Sequence, residues 1–281
     1  MTLKSAIHSH ITINNATSKA VTEKLWRRLV AAANTLATQL IVYKKFPQAI
    51  VMLETMSSLL ETYFKESKDC RQELLGILRD SQAHYYSFRG KPSAALQYII
   101  SATNVEKERG AKNADSGLPF SIQLARCYLH KACILKQLNR FNESLNAMKR
   151  VLVMIDSHLL DDILHKESSI KTSISSANFC SIDPQIIALL SVTYHNIAVI
   201  QIILGHISDA CISSQNCRRL CRLCMSITSR FVPQFEETHL KAIYEMSNML
   251  HSSKETKEQA MLFQQLVTER TLMSTMSKVP K

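Results

Sequence analysis

Four cysteines crowd one short stretch of the chain: Cys211, Cys217, Cys221 and Cys224. The last two have the CxxC spacing that pairs of zinc ligands use, and His195, His206 and His239 could supply imidazoles from elsewhere. Structural zinc, however, is usually held by ligand pairs on turns, where four ligands converge. Cys217, Cys221 and Cys224 fall instead at i, i+4 and i+7, one stripe of an α-helix. Free cysteine is a small, commonly buried residue, so core packing is the expected role, with no metal and no other cofactor. Arginines flank the same stripe. Arg218, Arg219, Arg222 and Arg230 form the densest basic cluster, with Lys149 and Arg150 as candidate additions. On a helix they make a positive edge suited to phosphates or acidic side chains. RNA binding usually adds exposed aromatics for stacking. Aromatics are only 6% of this chain and fall mostly at expected core positions. An acidic protein partner is therefore expected ahead of RNA. Catalysis has no starting point of this kind: there is no Walker loop, no GxGxxG, no GxSxG and no zincin pair with its glutamate. Asp161 and Asp162 are adjacent, so on a helix they point different ways. The chain is expected not to be an enzyme.

The elements that must carry these residues are helical. Tyr194 to Leu220 predicts two helices with a tight bend at Gly205. Tyr194, Ile197, Ala198 and Gln201 stripe the first, and Ala210, Ser214 and Cys217 the second. A single hairpin cannot bury its own apolar face, and further copies occur. In the first, Leu25, Leu29, Ala33, Leu36, Ala37 and Leu40 are expected on one face, then Phe46 at the bend, then Ala49, Leu53, Met56 and Leu60. In the second, Gly90 bends the chain and Pro92 opens a helix bearing Ala95, Ile99 and Ala102. Pro119 is expected to open the third, and Asn139 to Phe141 to bend it. Asp183-Pro184 caps and starts the fourth. A fifth is expected from Pro233, with Leu240 and Tyr244 on its first helix and Ala260, Phe263 and Val267 on its second. The boundaries predicted are a polar arm at 1–17, hairpins at about 18–67, 69–109, 118–165, 183–229 and 233–275, an insertion at 167–181 and a tail at 276–281. The charged run Glu106 to Asp115 is expected to be a loop. Trp26, the sole tryptophan, is expected to pack at the start of the first helix.

Composition agrees. Hydrophobic residues make up 46%, enough for a core, while Gly (5) and Pro (6) are too few for β-sandwiches or Gly-loop nucleotide folds. No apolar run stands out as membrane-spanning, so no membrane role is expected. Eight cysteines without a secretory signal predict reduced thiols in a cytosolic-type compartment. The Ser/Thr-rich start, with no acid before Glu23, leaves a mitochondrial presequence as the minor alternative, though no Arg precedes Arg27. Basic residues number 34 against 23 acidic, a formal +11, which favours acidic partners.

The pattern resembles the tetratricopeptide repeat (TPR), built of hairpins of about 34 residues with an early aromatic, a bend residue and small residues at set places. The residues that carry the likeness are Tyr194, Ile197-Ala198, Gly205, Ala210 and Cys217 in the fourth copy. In the third they are Tyr128, Ala132, Asn139, Phe141, Ser144 and Val151; in the second Ala83, Tyr86, Gly90, Ala95 and Ala102; in the first Leu36-Ala37, Leu40, Phe46, Ala49 and Met56. Ala49, Ala95, Ser144, Ala210 and Ala260 lie 46, 49, 66 and 50 residues apart, so the helices or the links are longer than that family's. The resemblance covers about Ala20 to Thr275. It implies an all-α, TPR-like α-solenoid of four to five antiparallel hairpins, acting as a non-enzymatic interaction scaffold. It also implies a groove lined by first helices, at Asn34, Thr35, Thr38, Asp80, Ser81, His84, Phe88, Arg126, His130, Cys133, His195, Asn196, Val199 and Ile202. From these, Asn34, Thr38, Asp80, His84, Arg126, His130, His195 and Asn196 are the candidate partner contacts. The family's carboxylate clamp for chaperone tails is not expected, because Asn34, Thr38, Ser81 and His130 stand at its positions and its Lys/Arg set is incomplete. The wording YHNIAV…SSQNCRRLCRL also resembles long-helix repeat proteins of flagellated protists, several of which serve the axoneme. That implies a cytoplasmic or cytoskeletal protein, in a cilium or flagellum, assembled into a larger complex with tubulin or axonemal proteins. An RNA-associated or mitochondrial ribosome assembly factor is the alternative.

Overall fold

The structure, a computed structural model, describes residues 19–65, 67–112, 121–167, 182–226, 229 and 231–252. Among the described residues every regular element is an α-helix, so the all-α class expected from the periodicity is the one observed. The helices are α1 (Lys19–Val42), α2 (Phe46–Tyr63), α3 (Lys68–Phe88), α4 (Pro92–Lys112), α5 (Ile122–Gln137), α6 (Phe141–Glu167), α7 (Pro184–Ile203), α8 (Ile207–Cys224) and α9 (Phe231–Ser252). The chain divides into two compact units, Met1–Leu118 with α1–α4 and Pro119–Lys281 with α5–α9. The expected polar arm, the insertion beyond Glu167, the helix bearing Ala260, Phe263 and Val267, and the tail lie outside the described residues.

The same bend joins first to second helix four times. Its middle residue has a left-handed backbone: φ is 58° at Lys44, 69° at Gly90, 58° at Asn139 and 76° at Gly205. The next N–H then donates to a carbonyl five residues back: Lys45 to Leu40 at 2.8 Å, Lys91 to Tyr86 at 2.9 Å, Arg140 to Leu135 at 2.9 Å and His206 to Gln201 at 2.8 Å. This is the Schellman ending, which satisfies carbonyls that the helix leaves open. Glycine adopts the conformation freely and asparagine tolerates it, whereas Lys44 holds it with a Cβ in the way.

Small residues sit at matching places around each bend. Ala37, Ala83, Ala132 and Ala198 precede it, and Ala49, Ala95, Ser144 and Ala210 follow it; all eight are fully buried. They let the two backbones approach. Ser144 keeps its place by donating its hydroxyl to the Ala132 carbonyl at 2.6 Å, which satisfies a polar group that burial would otherwise penalise. Helix starts follow the local chemistry. Ser67 accepts from Cys70 N–H, Ser121 from Leu124 N–H, and Asp183 from Gln185 N–H at 2.8 Å. Pro47, Pro92, Pro184 and Pro233 all fall in first turns, where a missing N–H costs little; Pro119 is outside the described residues.

Three sequence expectations are corrected. The core stripe of α1 is Trp26, Val30, Ala33, Ala37 and Ile41, while Leu25 and Leu36 are each 43% exposed. Trp26 packs on Phe64 with ring centroids 5.7 Å apart, and that contact helps fix the helix's rotation. The charged run from Glu106 to Lys112 is helix and not loop, because α4 continues through it. Finally, α7 is long and apolar enough to cross a membrane, with a mean hydropathy of 1.9. It is the central helix of its unit, with Ile186, Ile187, Leu189, Leu190, Ile197, Ala198 and Ile200 all buried. A helix apolar on every side fits either setting, but here α6, α8 and α9 pack against it. Its polar groups are also engaged: Ser191 donates to the Cys217 carbonyl at 3.2 Å and Thr193 to Leu189 O at 2.7 Å.

Candidate partner-binding surfaces

The candidate groove residues fall into two sets, one in each unit. In the first, Asn34 on α1 and Ser81 on α3 are hydrogen-bonded to each other, Ser81 donating to Asn34 Oδ1. That bond ties neighbouring first helices and engages one oxygen of Asn34. Thr38 donates back to the Asn34 carbonyl at 2.9 Å. His84 lies one turn before Phe88, with ring centroids 4.6 Å apart, and Phe88 is 57% exposed. Asp80 is half-buried and already engaged within the protein.

In the second unit, Arg126 is exposed and donates to Gln185 Oε1 at 3.1 Å, joining α5 to α7. His130 is half-buried and engaged. Asn196 is corrected. It is buried, it donates to the Val192 carbonyl at 2.9 Å, and it accepts from the Cys133 thiol at 3.9 Å. Its amide therefore fastens α7 to α5 and is not offered outward. His195 is half-buried against Phe235 of α9, with centroids 4.7 Å apart, and its Nδ1 has no hydrogen-bond partner among the described residues. Burial, helped by the charge of Lys136, lowers its pKa to about 4. His239 behaves alike. It is buried with Nδ1 2.9 Å from Ser214 Oγ, and burial, then Arg218 and Arg222, lowers its pKa to about 4. Both imidazoles are neutral at pH 7.

The expected basic edge also changes. Arg218 is 5% exposed, so it does not belong to an exposed edge. Its Nε donates to Glu236 Oε1 at 2.8 Å and its Nη1 to Gln215 Oε1 at 3.0 Å. It is an internal strut between α8 and α9, neutralised by its carboxylate. Arg219 and Arg222 remain exposed on α8, and Arg230 is outside the described residues. Lys149 and Arg150 are exposed on α6, but among the described residues α6 packs on α7 and not on α8. Arg150 instead lies over the Tyr128 ring, 5.9 Å from its centroid.

Within the cysteine stripe of α8, Cys217 and Cys221 are buried and Cys224 is half-buried. Cys217 and Cys221 are buried with Phe235 in one apolar cluster. Burial pushes the Cys217 thiol up to about 12, against a smaller opposing effect of the Ser191 hydroxyl. Cys211, Cys221 and Cys224 are raised by burial as well. Protonated thiols are poor nucleophiles at neutral pH.

Sequence reasoning missed the charged network of the first unit. Arg27 on α1 grips Glu73 on α3 through two bonds of 2.5 and 2.9 Å. Arg109 on α4 reaches Glu73 at 3.3 Å and Glu106 at 3.6 Å. The signal was present: Arg27 and Glu73 are 46 residues apart, the spacing between the first two hairpins, so they occupy equivalent places on adjacent first helices.

No protein-family model and no curated protein matches the chain. Solved structures do. A kinesin-light-chain-like protein of Podosopora anserina, built of nearly identical TPR-like repeats, is 11% identical with a TM-score of 0.53, covering 89% of this chain and 97% of its own. BtubC (BKLC) from P. vanneervenii is 13% identical with a TM-score of 0.53, covering 94% of each chain. At that identity the likeness speaks for fold alone, and it agrees with the bends and small residues above. The chain has a TPR-like helical fold.

Proposed function

We propose that this chain is a non-enzymatic protein-interaction scaffold whose second unit holds an acidic partner. The observation that carries this reading is the outer face of α8. Ile212, Arg219 and Leu223 recur there at i, i+7 and i+11, and Arg222 stands beside them. Ile212 is 62% and Leu223 60% exposed, and no carboxylate pairs with Arg219 or Arg222 among the described residues. Exposed apolar side chains next to unpaired guanidinium groups suit a protein surface carrying carboxylates. The charge of +11 favours the same class of partner at longer range. A cytoskeletal role, in a ciliary or flagellar axoneme with tubulin or axonemal proteins as partners, is the finer reading. The kinesin-light-chain likeness of one structural neighbour supports it.

Purified tubulin and a structured RNA, each titrated against the full chain across a salt series, test the proposal. Tubulin binding that needs no nucleic acid is the expected result. RNA binding with a steep negative salt slope would favour the RNA-associated alternative instead.

A further inference from the structure

The first unit contains a cavity of about 470 Å³ between α3 and α4, with Glu61 of α2 on its wall. On α3, Arg71, Leu75 and Arg79 fall at i, i+4 and i+8, so they form one stripe about 12 Å long. Asn104, Val105 and Glu108 face it from α4. Leu75 and Val105 supply the apolar part of the wall, and the helices are close here: a Cβ on Gly76 would stand 3.2 Å from Val105 Cγ1.

Much of the polar wall has no internal partner among the described residues. Arg79 is half-buried, and among the described residues it makes no hydrogen bond or ion pair. Among the described residues Arg71 reaches the Phe64 carbonyl alone, at a long 3.4 Å. Gln72 and Asn104 likewise have no hydrogen-bond partner among the described residues. The neighbouring cavity of about 270 Å³ is the contrast. There Arg27 and Arg109 both close on Glu73, so its positive charge is already answered within the chain. A half-buried guanidinium without a carboxylate gains most from an incoming one.

We propose that the larger cavity receives a short extended segment of a partner protein carrying an acidic residue next to a basic one. The acidic side chain meets Arg79, with Arg71 one end further along, and the basic side chain meets Glu61 or Glu108. Two positive and two negative side chains line the wall, which suits a mixed-charge segment better than a purely acidic tail. The amides of Gln72 and Asn104 can each donate to a carbonyl and accept from an N–H, which an extended backbone offers. A stripe of about 12 Å matches three to four extended residues at about 3.3–3.6 Å each. The proposal rests on the scaffold reading but concerns the other unit and a different partner chemistry.

The test uses the full chain and three blocked fluorescent hexapeptides: alternating Glu-Lys, all-Glu and all-Lys. Anisotropy at low salt should show the alternating peptide binding best, and Arg79→Met should weaken it about tenfold. Methyl signals of Leu75 and Val105 should shift on addition of that peptide. The Glu61→Gln/Glu108→Gln double variant, which leaves both arginines, should lose the preference for the alternating over the all-Glu peptide. No binding, unchanged affinity in Arg79→Met, unmoved Leu75 and Val105 signals, or a preference unchanged in the double variant would each overturn the proposal. None of these would touch the α8 face, whose own test is charge reversal of Arg219 and Arg222.

Discussion

The two units share one frame and fill it differently. Each uses the left-handed bend and the buried alanines, and each joins its first helices through polar side chains. In the first unit one of those links is charged: Arg27 on α1 pairs with Glu73 on α3 at 2.5 Å, and Arg109 and Glu106 of α4 extend it into a chain of ion pairs reaching 3.6 Å. In the second they lack an ion pair among the described residues: the Cys133 thiol on Asn196 and Arg126 on Gln185 join α5 to α7, and His195 against Phe235 joins α7 to α9. The lesson is that bend geometry and small residues make the hairpin, while the polar links set how each unit responds to its surroundings. Ion pairs with a half-exposed arginine are screened by salt and add little. Buried neutral imidazoles are insensitive to salt but sensitive to acid.

The largest expected effect breaks the comparison with pH. His195 and His239 have folded pKa values of about 4 against an ordinary 6.5. Between those values the unfolded chain binds more protons, so stability is full above pH 6.5 and falls as the pH drops toward 4. The loss is up to about 3 kcal/mol for each imidazole. Hydrogen exchange followed from pH 7 to pH 4.5 should therefore show α7–α9 losing protection before α1–α4. His239→Gln should blunt that difference. Next comes Ala210→Leu, which forces a larger side chain into a fully buried site and should destabilise by about 1–3 kcal/mol in thermal melting. An unchanged melting temperature would mean that Ala210 does not face α7.

Smaller effects test the shared bend. Gly205→Ala should destabilise by about 1 kcal/mol, because φ of 76° is unfavourable once a Cβ is present. Lys44→Gly should do the reverse and raise the melting temperature, by about 1 kcal/mol of stability. The pair sharpens the comparison, since one bend in each unit is driven in opposite directions by the same backbone physics. Smallest is Arg27→Ala, at about 0.5–1 kcal/mol in low salt and less at high salt.

The bends were legible in the sequence because glycine and asparagine mark left-handed positions, and Gly205, Gly90 and Asn139 stand at three of the four. Lys44 was invisible by that rule, yet the repeat spacing that aligns Ala49 with Ala95 also aligns Lys44 with Gly90. The rotation of α1 was not legible. Leu25 and Leu36 lie one residue from the true stripe of Trp26 and Ala37, and apolar periodicity alone does not separate two stripes about 100° apart. The contact of Trp26 with Phe64, far along the chain, helps decide between them. The fate of single polar residues was the least legible. Arg218 and Arg219 are neighbours in sequence, but a helix turns them apart, so one pairs with Glu236 in the interior while the other is exposed. The inward turn of Asn196 has the same origin.

The most direct measurement is the affinity of the full chain for purified tubulin, read side by side for the unaltered protein, Arg219→Glu/Arg222→Glu and Arg79→Met across a salt series. The double reversal should abolish binding, or weaken it at least about tenfold at low salt, while Arg79→Met leaves it intact. Tubulin held equally well by the double reversal and the unaltered chain would contradict the assignment of the acidic partner to α8.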